Sequence, residues 1–328
     1  MHLPPPAPLP GKKRKAWTYR PEAAPSLRSL LAGREARRQF WQYWVRDNLG
    51  NAFDLGFFFA LRLVSPTLCS GFGAWLGPRI MPRLYPVSLR RTRENFERLF
   101  PDRAPAELDR MMRDYMESQG RQMAEYSALP RLARQPGHIR HVGVGYLKER
   151  CATGPVIFMG LHTCNWEVLS QCMIDMGITM SLNYDPPVRR ARHWIVRHVR
   201  LSGGLNLLPP GRQAVRPALQ LLESGGHLLV FCDEGFNRRV RAPFFGRPAT
   251  LESNYALVAR LARKTGALIC PVYLTRDRGT YFTMTVLEPF RLADESSLMD
   301  DVARLNAIVE PVIRDYAPQW YFVNDRID

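Results

Sequence analysis

From Gly154 onward short apolar runs alternate with helical stretches, and that alternation limits the fold more than any other feature of the chain. Residues 155–159 (PVIFM) are an apolar run of strand length, closed by Gly160. The same reading predicts strands over 178–184, 227–232, 267–274 and 281–287. It predicts helices over 165–176, 188–201, 212–222, 253–265 and 297–316. Strands interleaved with helices bury both faces of a sheet, so the predicted fold class is α/β, a mainly parallel central sheet flanked by helices. This core is assigned to residues 136–328, and no internal repeat is visible.

The N-terminal half reads differently. Residues 1–35 are Pro-rich and basic, with Pro4, Pro5, Pro6, Pro8 and Pro10 ahead of Lys12-Lys13-Arg14-Lys15, and are predicted to be a disordered tail. Residues 36–135 are predicted to be a helical, membrane-associated region. Its first part carries Phe40, Trp41, Trp44, Phe53, Phe57, Phe58, Phe59, Phe72 and Trp75. The sixteen residues between Arg62 and Arg79 have no charge, but about 20 are needed to span a bilayer. Pro66, Gly71, Gly73 and Gly77 also interrupt the stretch. Two readings follow: a soluble helix hairpin, or a monotopic insertion with Arg62, Arg79, Arg83, Arg90 and Arg91 at headgroup level. The monotopic one is preferred. Between 90 and 132, Leu108, Met111, Met112, Tyr115 and Met116 recur at helical spacing, as expected of a helix packed on a core.

The formal net charge is +16, and all but five of the 46 basic residues are Arg. Such a surface favours nucleic acid, anionic lipid or an acidic protein. No zinc-ligand, basic-zipper or aromatic RNA-binding motif is present, so a nucleic-acid partner is not expected. The six Cys lack a CxxC pair, as in a reducing compartment without structural zinc. The HxxH of His138 and His141 has no nearby carboxylate or Cys to complete a metal site, and no metal is expected.

The chemistry concentrates at 160–167 (GLHTCNWE). His162 follows a predicted buried strand, where ligand sites of open α/β sheets gather. Glu167 lies five residues on, at the start of the next helix. A His there can take a proton near neutral pH, and a carboxylate can fix its tautomer. A core histidine beside a helix N-terminal Glu is the plain alternative. Cys164 is read as packing. A second feature is the run 186–216, with seven Arg and no acid. On a helical wheel Arg189, Arg190, Arg192, Arg197 and Arg200 fall within about 160°. An unmixed basic face points to phosphate contact, although a solvated charged face has the same pattern.

Residues 162–167 (HTCNWE) resemble the H-x4-D/E motif of the lysophospholipid acyltransferase superfamily. The Asn-Trp-Glu resembles its branch of late (lauroyl/myristoyl) acyltransferases of lipid A biosynthesis. Three further pieces fall in the branch's order: 95–101 (NFERLFP), 243–249 (PFFGRPA), and the closing stretch from Glu310 through 318–322 (PQWYF) to Arg326. The resemblance covers about residues 40–328. The chain departs from the branch at Asp233-Glu234, where Asp-Gln is usual, at Thr163-Cys164, and at Trp320 and Phe322.

The resemblance implies a glycerolphosphate-acyltransferase-like core. It also implies transfer of a fatty acyl group from an acyl thioester, on acyl carrier protein or coenzyme A, to a hydroxyl of a phosphorylated glycolipid. A lipid A precursor is the first expectation. Phosphoinositide-mannoside-like or aryl-polyene lipids, or a non-catalytic membrane scaffold of the same fold, are the alternatives. His162 would be general base with Glu167 orienting it. Arg200, Arg212 and Asp233 match positions of the branch and would bind substrate, with no cofactor beyond the acyl donor; Asn165 and, from the basic face, Arg189 and Arg197 are the other substrate-binding candidates. The implied location is the cytoplasmic face of the inner membrane, held monotopically or by a single N-terminal anchor on anionic lipid.

Overall fold

The computed structural model describes residues 23–327. The predicted tail lies mostly outside them. Within 23–33 the chain makes a 3-10 turn at Leu27–Leu30, and Trp44 Nε1 donates to Pro25 O at 2.9 Å.

Helices α1 (Arg34–Trp41) and α2 (Asp47–Leu61) are joined by a π-helical turn, Gln42–Arg46. Then follow α3 (Pro66–Leu84), α4 (Pro86–Leu99), α5 (Pro105–Glu125) and α6 (Leu129–Ala133). Ser65 Oγ caps α3 by accepting from Leu68 N, with Pro66 at its first position. No helix among the described residues is long and apolar enough to cross a membrane.

The glycines that break up the charge-free stretch have a packing reason. A Cβ on Gly77 would lie 2.1 Å from Met116 O, and one on Gly73 2.4 Å from Gly120 O. Small residues thus let α3 lie backbone-to-backbone on α5. Cys69, Ser70, Gly73, Ala74 and Gly77 are buried there, while Leu68, Phe72 and Trp75 face outward.

The strands are β1 (Ile139–Val142), β2 (Val156–Gly160), β3 (Met180–Asn183), β4 (Asn206–Leu208), β5 (His227–Phe231), β6 (Gly235–Phe236), β7 (Arg239–Val240), β8 (Leu268–Arg278) and β9 (Tyr281–Val286). Seven of them make one sheet in the order β1-β9-β8-β2-β5-β3-β4. Every pair in it is parallel except the hairpin β8–β9. Strands β6 and β7 form a separate small ribbon. The connecting helices are α7 (Leu147–Thr153), α8 (Trp166–Asp175), α9 (Arg190–Ser202), α10 (Val215–Glu223), α11 (Asn254–Thr265) and α12 (Leu298–Asp315).

Alternation along β2 and β5 supplies both layers, as strand period 2 requires. Ile157, Met159, Leu228 and Val230 pack with α5, α10, α11 and α12. Val156, Phe158, Leu229 and Phe231 pack with α6, α8 and α9. The predicted mostly parallel, helix-flanked sheet is therefore present. The sequence reading lacked β1, β4 and the ribbon. Strand β1 is largely exposed and β4 has three residues, so neither shows the apolar run on which strand assignment rests. His138 stacks on Tyr281 at 4.1 Å, and its Nδ1 lies 3.0 Å from Thr280 Oγ1.

Candidate active site

Two neighbouring strand ends build the site. In the β2–β5 ladder Gly160 is opposite Phe231, and Cys232 N donates to Gly160 O at 3.0 Å. His162 and Asp233 each lie two residues beyond that last pair, so the register brings them face to face. Asp233 Oδ1 sits 2.9 Å from His162 Nδ1. Its Oδ2 accepts from His162 N at 2.6 Å and from Trp320 Nε1 at 3.0 Å. A carboxylate only accepts, so Nδ1 carries the proton and Nε2 is left with its lone pair. Asp233 is fully buried, while the His162 side chain stays 15% exposed. Three rings wall the imidazole: Phe231 at 4.2 Å, Trp166 at 4.8 Å and Phe322 at 5.0 Å.

The closing segment fixes the turn that carries His162. Tyr321 N donates to His162 O at 3.0 Å, and Cys164 N donates to Gln319 O at 2.8 Å. Thr163 Oγ1 donates to Leu274 O at 2.7 Å. These bonds hold Cys164 at φ 53°, a left-handed conformation that a non-glycine residue adopts only under constraint.

Glu167 does not bond His162, which corrects the expected pairing. Its carboxylate accepts from Arg200 Nε at 3.1 Å, from Arg200 Nη2 at 2.7 Å and from Tyr126 Oη at 3.0 Å. The reason is helical geometry: α8 begins at Trp166, so Glu167 lies in its first turn and turns toward α9 and α5. Burial opposes the charge on Arg200, yet Glu167 beside it raises the guanidinium pKa above its usual value. Arg200 is thus held in an ion pair rather than presented to a ligand.

Other expected ligand residues are also used internally. Asn165 is fully buried; its Oδ1 caps α8 by accepting from Glu167 N, and its Nδ2 donates to Glu125 Oε2 at 2.9 Å. Arg189 and Arg192 share Asp54 of α2, at 2.9 and 3.1 Å. Arg190 lies over the Tyr43 ring at 3.8 Å and donates to Asn48 Oδ1 at 2.6 Å. This part of the basic face therefore docks α9 on α2. Arg197 and Arg212 are exposed.

Three residues at the site had no place in the sequence reading. Tyr126 ties Glu167 to the end of α5. Glu125 and Arg276 form a buried ion pair at 2.8 Å beneath Asn165. Burial pushes the Glu125 carboxyl up, but Arg276, with hydrogen bonds from Arg276, Ser70 and Asn165, brings it below the ordinary range. Glu234, next to Asp233, is the opposite case. Burial lifts its carboxyl to about 7, His162 opposes the shift, Asp233 adds to it, Asn254 opposes it and Asp185 adds to it.

A base with an orienting carboxylate at the mouth of a parallel sheet suits acyl transfer. The profile of the bacterial lipid A biosynthesis acyltransferases matches residues 33–327. The chain belongs to that family. It is accordingly an acyltransferase, and the lipid A biosynthesis family names its general field of substrates. No individual curated protein matches the chain. The match starts at the N-terminal helices and runs past Trp320. In this acyltransferase it therefore takes in His162, Asp233 and the closing segment that pins them.

Proposed function

We propose that this acyltransferase moves a fatty acyl group from an acyl thioester, on acyl carrier protein or coenzyme A, to a hydroxyl of a lipid A precursor. His162 Nε2 is the general base. It takes the proton of the acceptor hydroxyl as that oxygen attacks the thioester carbonyl. The tetrahedral intermediate then expels the thiolate, and His162 returns the proton to sulfur. Positioned proton transfer of this kind contributes about 10²–10⁴-fold. Asp233 holds the productive tautomer and stabilises the imidazolium. Glu167 is a positioning residue that locks α8 to α9 through Arg200. Arg197 and Arg212 contact phosphate groups of the acceptor.

The reading places the enzyme at the cytoplasmic face of the inner membrane, seated monotopically on its N-terminal helices. What supports this is their outward face and the turn between α2 and α3: Phe53 is 71% exposed, Leu68 67% and Trp75 53% on the helices, and Leu63 88% in the turn. Large apolar side chains clustered outward suit a lipid interface.

The observation that carries the catalytic reading is the His162 Nδ1–Asp233 contact at 2.9 Å. Its test is His162→Ala in purified protein with an acyl thioester donor and a phosphorylated glycolipid acceptor. Transfer should fall at least about 10²-fold. Full activity in that variant would remove His162 from the mechanism.

A further inference from the structure

A cavity of about 490 Å³ opens between α4 and the last residues of the chain. Arg90, Arg91, Arg98 and Arg326 line it, with Glu94 as the one carboxylate among the described lining residues. We propose that this cleft binds the phosphomonoester headgroup of an anionic membrane lipid. The proposal rests on the membrane-seated reading above.

The first ground is unmet charge. Arg90 approaches Glu94 only at 4.0 Å, with both side chains more than 60% exposed, so that pair contributes little. Arg91 gives one bond, to Asn324 O at 3.3 Å, and Arg98 one, to Ile327 O. Among the described residues nothing pairs with the Arg326 guanidinium. Each guanidinium has five N–H donors in a planar fork, so most donors here remain available. Glu94 in the lining and Asp325 beside Arg91 offset only part of the four like charges around the opening.

The second ground is that the cleft is held open. Asn95 is buried and its Nδ2 donates to Val323 O at 2.6 Å and to Asp325 O at 2.7 Å. That clamp fixes the C-terminal wall against α4. The volume suits a headgroup and lies within the ordinary range of ligand sites.

The third ground is position. Leu68, Phe72, Trp75, Arg79 and Arg83 follow one another along one side of α3 at helical spacing. The stripe is apolar at its start and cationic at its end. Beyond it Leu84 and Val87 are exposed, and Val87 lines the cleft. Apolar side chains giving way to arginines is the order found where a protein meets a bilayer surface. A monoester carries about −1.5 to −2 near neutral pH, so this arginine-rich lining favours it over a singly charged diester. The wall that Asn95 clamps continues back to Phe322, whose ring meets His162 at 5.0 Å.

The test is flotation of the full-length protein with three vesicle types at physiological salt. They are phosphatidylcholine alone, phosphatidylcholine with phosphatidic acid, and phosphatidylcholine with charge-matched phosphatidylglycerol. Arg90→Gln/Arg326→Gln removes two guanidinium groups that hold no backbone carbonyl. Arg113→Gln/Arg150→Gln removes the same charge from exposed sites elsewhere. Wild type should prefer phosphatidic acid over phosphatidylglycerol by about tenfold, as expected if bidentate bonds supply roughly 1.4 kcal/mol. The first pair should lose that preference while still binding phosphatidylcholine vesicles, and the second should keep it.

Equal losses in both pairs would mean diffuse charge and overturn the proposal. Displacement from phosphatidic acid vesicles by millimolar inorganic phosphate would assign the cleft to a soluble phosphate instead. Weakened binding of acyl carrier protein by the first pair, with the lipid preference intact, would make the cleft a protein-docking site and equally overturn it. If wild type binds no vesicle at all, the membrane-seated reading fails as well, and the phosphatidylcholine arm separates that outcome from the others.

Discussion

Asp233→Asn and Glu167→Gln should fail in different ways, because the two carboxylates face different donors. Asp233 accepts three N–H bonds, two at Oδ2 and one at Oδ1. An Asn there has one acceptor oxygen, and that oxygen satisfies the two donors from His162 N and Trp320 Nε1. Its NH₂ then points at His162 Nδ1, which must become an acceptor. The imidazole proton moves to Nε2, the atom that acts as base in the proposed reaction. A wrong tautomer of this kind costs about 10⁴-fold in the serine-protease triad, which is a worked precedent from another fold. A kcat loss of roughly 10³–10⁴-fold, about 4–5.5 kcal/mol, is expected here. Stability should fall by only about 1–3 kcal/mol, the cost of one disturbed buried polar group.

Glu167→Gln leaves the Arg200 guanidinium, 12% exposed, without its counter-charge. Removing one partner of a buried ion pair costs about 3–5 kcal/mol, so the midpoint of thermal unfolding should drop by several degrees. The activity of the fraction that stays folded should fall much less than in Asp233→Asn. Steady-state kinetics with an acyl thioester, together with calorimetry on both variants, gives the comparison. The reasoning is refuted if Glu167→Gln loses 10³-fold or more of kcat at an unchanged melting temperature while Asp233→Asn stays nearly active.

Three further outcomes follow from the same structure. Gly77→Ala puts a Cβ against Met116 O, a backbone atom, so α3 must lift from α5; a destabilisation of about 1–3 kcal/mol in urea titration is expected. Glu234 has a folded pKa raised to about 7 from 4.5, so the native state resists its ionisation, and stability is lost as pH climbs between those values. Glu234→Gln should therefore match wild type near pH 4 and melt higher than wild type by pH 8, and a gap that stays constant with pH would contradict the burial argument. Replacing Phe53 and Trp75 by Ser should weaken partition onto phosphatidylcholine vesicles by about tenfold or more each, since burying such a side chain is worth about 1.5–3 kcal/mol.

The α/β core was legible because its strands are buried on both faces. Residues 155–159 and 227–232 read as continuous apolar runs, and they became β2 and β5 within a residue. Strand β1 was missed for the reverse reason: an edge strand paired on one side and exposed on the other has no apolar signature. The charge-free stretch around α3 was ambiguous because a helix that packs one face on protein and leaves the other apolar has the composition of a short span. Among the described residues no helix is long and apolar enough to cross a membrane, and the glycines of α3 serve its close packing on Gly120 and the backbone of Met116.

The partner of His162 was harder to see, and the reason is topological. Within 162–167 the nearest carboxylate in sequence is Glu167, and sequence proximity made it the natural orienter. Contact, however, is set by which strands are neighbours. Strand β5 follows β2 only after β3, β4 and three helices in the chain, yet it pairs with β2 directly in the sheet. Residues at the same offset past two paired strand ends must meet, so His162 and Asp233, 71 positions apart, face one another. Glu167, five positions away, is carried off by the first turn of α8. The signal that could have found the pair was present: one buried-strand run followed within three residues by His, and another followed directly by Asp. It needed the adjacency of β2 and β5, a property of the assembled sheet that no local window contains.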